Sequence, residues 1–247
     1  MGMPLVIPGA QAQASTFQRW WEAQGEWVEE PNQRRDGESG VKRLRLADPQ
    51  RPLLYCKRQT GHLYRSLAHP FGRPTALREY QALRALERLG IRVPRVVYCA
   101  AQRPAGQWQA LLVTEELSGF VSLEQWYQEA RHLRDAAVQA RLLQRLGEML
   151  ARLHRAGWQH GCLYPKHIFL RVEGEGADAE VEVALLDLEK CRRRLWPRQA
   201  SRRDMDQLRR RAPAISTGDW AALQAHYQAA LLGQAALLGA QEVDDGH

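Results

Sequence analysis

Three charged side chains interrupt apolar patterns in this 247-residue sequence, and a group of histidines and a cysteine lies among them. Glu79 stands three, four and seven positions from Ala76, Leu83 and Leu86, so a helix here turns its carboxylate inward with them. A carboxylate withdrawn from water needs a cation, because either charge buried alone is destabilising by several kcal/mol. Lys57, closing the alternating run Leu53-Leu-Tyr-Cys-Lys57, is a plausible partner. Asp187 follows Val181, Val183 and Leu185 at a spacing of two, which on a strand directs it to the interior or to a cleft. Taken singly, each charge fits a structural role as well as a functional one. His154, His160, Cys162 and His167 leave two other chemistries open. One is a thiol nucleophile with an imidazole base, although sequence proximity does not define such a pair. The other is ligation of zinc or another transition metal, although the spacing matches no common site. His160 itself is expected to pack and hydrogen-bond inside its loop.

The elements that must position these residues change character along the chain. Trp27 to Glu29 and Val41 to Leu46 read as strands around the turn-rich stretch from Glu30 to Gly40. Leu53 to Lys57 is a third strand. Thr75 to Leu89 reads as a helix introduced by Pro74 and stopped by Gly90. Strands follow near Arg95 to Cys99 and Gln109 to Thr114. After Ser118-Gly119 the pattern is helical, over Leu123 to Glu129 and then Ala140 to Ala156, whose leucines form a wide apolar stripe. His167 to Val172 and Val181 to Leu186 form a second hairpin around a glycine-containing turn. A β-rich part thus precedes a helical one, and the change near Leu117 implies two lobes with a ligand cleft between them. Trp20, Trp21 and Trp27 are expected to pack in a core rather than to face a membrane or partner.

Composition narrows the class. With 45% hydrophobic and 26% charged residues, and prolines and glycines scattered, the chain is globular rather than collagen-like or disordered. No apolar run approaches a membrane span, and Met1 to Gly9 lack signal-peptide character. Cys56, Cys99, Cys162 and Cys191 are far apart, so a reducing cytoplasm is expected rather than a disulfide framework. The net charge is +7, yet Lys190 to Arg211 alone holds ten basic residues against Asp204 and Asp206. The rest of the chain is therefore slightly acidic, and the basic segment expects an anionic partner unless it is only a solvated helix face.

In chain order, a lysine on the third strand, a glutamate on the next helix, a histidine-led segment after a long helix and an aspartate after a hairpin follow the protein-kinase order. The segment His160-Gly-Cys-Leu-Tyr-Pro-Lys-His-Ile-Phe-Leu170 and the run Leu185-Leu-Asp-Leu-Glu-Lys190 resemble the lipopolysaccharide kinases of the Kdo/WaaP type, especially their InaA-like branch. The resemblance spans about Gly25 to Arg211 and rests on four short motifs in order at compatible spacing.

It implies an α+β, two-lobed protein-kinase-like fold, with a β-rich N-terminal lobe over 1–117 and a shortened, mainly helical C-terminal lobe over 118–247. Tyr55-Cys56-Lys57 resembles the V-A-I-K strand, which implies that Lys57 contacts the α- and β-phosphates of ATP and that Glu79 holds it. Glu115, Glu116 and Leu117 resemble the hinge that binds adenine through its backbone. Cys162 falls where active kinases place the aspartate that takes the acceptor's proton, and a thiol lacks that residue's two acceptor oxygens. His167 falls at the metal-binding asparagine, where the lipopolysaccharide kinases also have histidine. Asp187, in Asp-Leu-Glu rather than Asp-Phe-Gly, is implied to hold magnesium. Asp204 is expected to brace the catalytic loop. Gly37 and Gly40 depart from G-x-G-x-x-G, so no phosphate contacts are assigned to their turn.

Two functions follow from the resemblance: phosphate transfer from ATP to a heptose or Kdo sugar of the lipopolysaccharide inner core, or a nucleotide-binding pseudokinase acting as scaffold or regulator in envelope biogenesis or stress. The expected partner is lipopolysaccharide core or another anionic glycolipid, held by the arginine cluster. Lys190 to Arg211 would make peripheral contact at the cytoplasmic face of the inner membrane. A nucleic-acid partner would leave Lys57, Glu79 and Asp187 unexplained and is not expected.

Overall fold

In the computed structural model the described residues are 10–34, 37–46, 48, 50–67 and 69–244. The expectation for Met1 to Gly9 lies outside them. They fall in two compact units, one within Met1–Gln81 and Pro94–Glu116, the other within Ala82–Val93 and Leu117–His247.

The first unit is built on an antiparallel sheet. Helix α1 (Ala10–Glu22) precedes the long hairpin β1 (Glu26–Arg34) and β2 (Gly37–Leu44), and β3 (Leu54–Thr60) follows. A small hairpin, β4 (Leu63–Ser66) and β5 (His69–Pro74), leads into helix α2 (Thr75–Arg88). Strands β6 (Val96–Gln102) and β7 (Gln109–Glu115) complete the sheet in the order β1-β2-β3-β7-β6. The stretch from Glu30 to Gly40, expected as a turn, is mostly strand. Register shifts beyond Trp27 and beyond Glu29 let β1 bulge across it while staying paired. Gly40 permits this close pairing, since a Cβ there would lie 2.8 Å from the Trp27 ring and 3.0 Å from the Glu29 carbonyl oxygen.

Alternation along the central strand β3 sorts its side chains between two faces. Leu54 and Cys56 join Phe17, Leu44, Leu111 and Val113 in a buried cluster against which Trp20 and Trp21 pack. Arg58 lies over the rings of Trp21 and Trp27. Trp20 and Trp21 thus pack on the core, as expected, whereas Trp27 is half-buried beneath Lys42 and Arg58 outside that cluster. Tyr55, Lys57 and Gln59 occupy the opposite face. The strand runs on to Thr60, three residues beyond the expected end, so Lys57 sits in mid-strand.

In the second unit, strand β8 (Val121–Ser122) precedes helix α3 (Leu123–Gln128), which Ser122 caps by accepting from the Gln125 N–H. Helix α4 (Ala136–Arg155) starts four residues earlier than its apolar stripe indicates, because Asp135 accepts from the N–H groups of Ala137 and Val138. Leu142, Leu146, Leu150 and Leu153 on α4 are fully buried. Strand β9 (Trp158–Gln159) leads to the loop of interest, then β10 (Ile168–Glu173) and β11 (Glu180–Leu185) form the expected hairpin. Strand β12 (Arg192–Arg193) pairs with β9, and helices α5 (Pro197–Arg211) and α6 (Thr217–Asp244) follow. Gly147 lets α4 and α6 approach closely, since a Cβ there would lie 2.9 Å from the His226 side chain and the Tyr227 backbone.

Candidate active site

Lys57 and Glu79 meet as expected. The ammonium lies 2.6 Å from Glu79 Oε2, and the two side chains are 16% and 10% exposed. Their register comes from a residue that the charge pattern did not single out. Gln59 lies two positions after Lys57, hence on the same face of β3, and is buried. Its Oε1 accepts the Ala76 N–H at 2.9 Å, and its amide hydrogen-bonds the Thr75 hydroxyl at 2.8 Å. Gln59 therefore satisfies the first turn of α2, and Glu79, one turn further on, arrives opposite Lys57. The i, i+2 rule that placed Lys57 would have flagged it.

Glu115 ends β7 and Glu116 follows it. The Glu115 N–H donates to the Arg95 carbonyl at 2.9 Å and the Glu116 N–H to the Leu53 carbonyl at 2.8 Å. The Glu115 carboxylate takes the Arg95 guanidinium, and Glu116 lies 3.5 Å from the Tyr55 hydroxyl. Both glutamates, expected in a hinge, thus have their backbone amides committed to neighbouring strand ends. Leu117, the next residue, begins a turn closed by Phe120 N–H on its carbonyl.

The loop from His160 to His167 is fixed from α5. Asp204 is fully buried and its carboxylate accepts three bonds: from the His160 N–H at 2.6 Å, the Gly161 N–H at 3.0 Å and His154 Nε2 at 3.2 Å. One turn along, Gln207 Oε1 accepts the Leu163 N–H at 2.7 Å. The bracing role expected of Asp204 is what the structure contains, and Gln207 extends it. Gly161 has φ +77°, and a Cβ there would stand 2.9 Å from the Lys190 carbonyl oxygen, so glycine suits this position for both reasons.

His160 is fully buried. Nδ1 accepts the Cys162 N–H at 3.3 Å and Nε2 faces the Leu186 carbonyl at 3.0 Å, so Nε2 carries the proton. Burial pushes its pKa down to about 4, against the opposing pull of Asp204. With both nitrogens committed to backbone, His160 cannot act as base toward the Cys162 thiol. The sulfur instead neighbours Lys190, and this proximity holds the lysine pKa above its ordinary value. Among the described residues no three His, Cys, Asp or Glu side chains converge on a metal position.

His167 donates from Nδ1 to the Cys162 carbonyl at 2.8 Å, so in the neutral ring Nε2 is a lone-pair donor. It lies 3.4 Å from Asp187 Oδ2. Asp187 does not face the interior: β11 ends at Leu185, and the Asp187 side chain is 40% exposed. Leu186 is clamped between the His167 carbonyl, which takes its N–H, and His160. Asp187 follows with φ +57°, a left-handed conformation costing a non-glycine residue about 1 kcal/mol or more. That turn carries its carboxylate out of the strand's inward row and toward His167. An imidazole lone pair and a carboxylate at this separation suit a shared divalent cation.

Comparison with known proteins places the chain in a family. A model of the lipopolysaccharide kinase (Kdo/WaaP) family matches residues 18–227. The chain belongs to the lipopolysaccharide kinase (Kdo/WaaP) family. Within it, the chain is 40% identical to Protein InaA of Escherichia coli strain K12 over 219 residues, which is 88% of this chain and 98% of that protein. Over shorter stretches it is 27% identical to the 3-deoxy-D-manno-octulosonic acid kinase of Vibrio vulnificus, covering 46% of this chain and 42% of that one. It is 28% identical to the lipopolysaccharide core heptose(I) kinase WaaP of E. coli, covering 34% and 32%. The solved structure of WaaP in complex with acyl carrier protein superimposes with a TM-score of 0.67 at 22% identity, covering 98% of both chains. The family fold is the expected α+β one, with a β-rich N-terminal sheet and a helical C-terminal part.

Not every arginine of the basic segment is free. Arg194 donates to Gln159 at 2.7 Å, Arg209 lies over the Trp220 ring and Arg211 over Tyr164. Arg203 and Arg210 line a cavity of about 270 Å³ with Gln159, Gly161, Asp206 and Gln207. Among the described residues no helix is long and apolar enough to cross a membrane.

Proposed function

We propose that this chain is a cytoplasmic kinase of lipopolysaccharide core biosynthesis, transferring the γ-phosphoryl group of ATP to a hydroxyl of an inner-core heptose or Kdo sugar. The observation that carries the reading is the partly buried Lys57–Glu79 pair at 2.6 Å in a member of this kinase family. Lys57 contacts the α- and β-phosphates and Glu79 holds it extended. The adenine edge meets the hinge at Glu115 to Leu117, where Leu117 supplies the backbone donor because the other two amides are taken by the sheet. His167 and Asp187 would hold magnesium, whose charge would offset that of the phosphate oxygens. The bond from γ-phosphorus to the bridging oxygen breaks, the new bond forms to the sugar oxygen, and ADP departs.

The acceptor's proton has no carboxylate to receive it. Cys162 is a thiol against the Lys190 ammonium, so the proton leaves to water late in a loose transition state. Positioning and charge neutralisation supply most of this chemistry, which makes slow transfer compatible with the site. The cavity beside Gly161, with Arg203 and Arg210, suits an anionic core sugar such as a phosphorylated heptose.

Cys162 also favours a second reading, a nucleotide-binding pseudokinase acting as scaffold or regulator of envelope biogenesis or stress. A transfer assay on lipopolysaccharide core acceptors separates the two. Slow transfer by the wild type, accelerated about 100-fold or more in Cys162→Asp, supports the kinase. Transfer seen only in Cys162→Asp supports the pseudokinase.

A further inference from the structure

The basic segment carries two large apolar side chains that the fold does not bury. Leu195 is 92% exposed and Trp196 71% exposed, between β12 and α5. The backbone around them is held. Arg192 and Arg193 pair with β9, the Arg194 N–H donates to the Gly157 carbonyl at 2.7 Å, and the Trp196 carbonyl accepts the Gln199 and Ala200 N–H groups at the start of α5. Leu195 and Trp196 therefore form a fixed corner between a strand and a helix. Arg192, Arg193 and Arg198 flank them, all exposed, and among the described residues no carboxylate pairs with these three.

We infer that Leu195 and Trp196 are a wedge that inserts into an anionic phospholipid surface, with Arg192, Arg193 and Arg198 set against the lipid phosphates. The tryptophan ring, apolar with a single N–H, suits the headgroup boundary. Guanidinium groups donate in pairs to phosphate oxygens, and the negative surface potential favours binding by roughly fivefold per exposed arginine. The two apolar side chains offer on the order of 300 Å², well short of the roughly 800 Å² per partner that a stable protein interface needs. A fluid surface accepts so small a projection without a matching groove. This inference sharpens the peripheral contact expected of Lys190 to Arg211, and vesicle binding tests it without phosphate transfer.

The full chain is sedimented with vesicles of phosphatidylglycerol and phosphatidylethanolamine, or of phosphatidylcholine alone, without nucleotide or lipopolysaccharide. Binding to the anionic vesicles only is expected. The double variant Leu195→Ser/Trp196→Ser should bind at least tenfold more weakly, and Arg192→Glu/Arg193→Glu/Arg198→Glu not at all. Lipids brominated near the headgroup should quench wild-type tryptophan fluorescence more than that of Trp196→Phe. Equal binding by the serine variant would mean that the arginines hold a surface with no insertion, and would overturn the wedge. So would equal binding to phosphatidylcholine, or failure to bind vesicles with the serine substitutions instead dissolving a dimer or the glutamate substitutions abolishing RNA binding. ATP titration of the same samples keeps the result separate from the kinase reading: a wild type that binds nucleotide but not the anionic vesicles counts against the wedge alone.

Discussion

At the scale of single residues, the site is set by which polar groups are spent on structure and which are left to act. Asp204 takes two backbone N–H groups and a histidine, and His160 uses both nitrogens on backbone partners. His167 keeps its Nε2 lone pair and Asp187 its exposed carboxylate oxygens. The cost of holding His160 neutral has a signature in pH. Its folded pKa of about 4 lies below the unfolded value near 6.5, so between these the unfolded state binds more protons and stability falls as pH falls. The effect is fully felt only below pH 4, and is on the order of 3 kcal/mol. Urea unfolding at pH 7, 5.5 and 4.5 should show a loss that His160→Gln, though less stable at pH 7, lacks by up to one proton in slope. Parallel pH curves for the two proteins would mean that the imidazole is not held neutral. At this scale the pair Lys57 and Glu79 was legible because each breaks an apolar period. The orientation of Asp187 was not, because it depends on one left-handed residue just past a strand end.

At the scale of elements, strand β3 and helix α2 are locked together by Gln59 before Lys57 and Glu79 meet. Replacing Gln59 with leucine strands the Ala76 N–H and the Thr75 hydroxyl in the interior. That should cost about 2 kcal/mol and lower ATP affinity several-fold through Lys57 without touching nucleotide. Thermal unfolding and ATP titration of Gln59→Leu measure both; an unchanged ATP affinity would show that Glu79 finds Lys57 without this cap. The elements with strong periods, α2, α4 and the β10–β11 hairpin, lie within a few residues of their sequence expectations. Helix α1 had no such signal: among its residues from Thr16 onward only Phe17 is buried, and the rest of that face is covered partially by tryptophans. The long first hairpin was hidden because bulges around Glu29 break the alternation of two. The anchoring of the loop by α5 spans 44 residues from His160 to Asp204, beyond the reach of any local pattern.

At the scale of the whole molecule, the family and the α+β fold are shown, and the proposed reading adds to them a nucleotide site in which Cys162 takes the place of an acid–base residue. The central claim is that this chain binds ATP with magnesium through Lys57 and Asp187. Isothermal titration with ATP, with and without magnesium, tests it most directly. Magnesium-dependent binding in the wild type, weakened at least tenfold in Lys57→Ala and in Asp187→Ala with folding retained, is the predicted result. No binding at millimolar ATP, or binding that neither substitution alters, would contradict it.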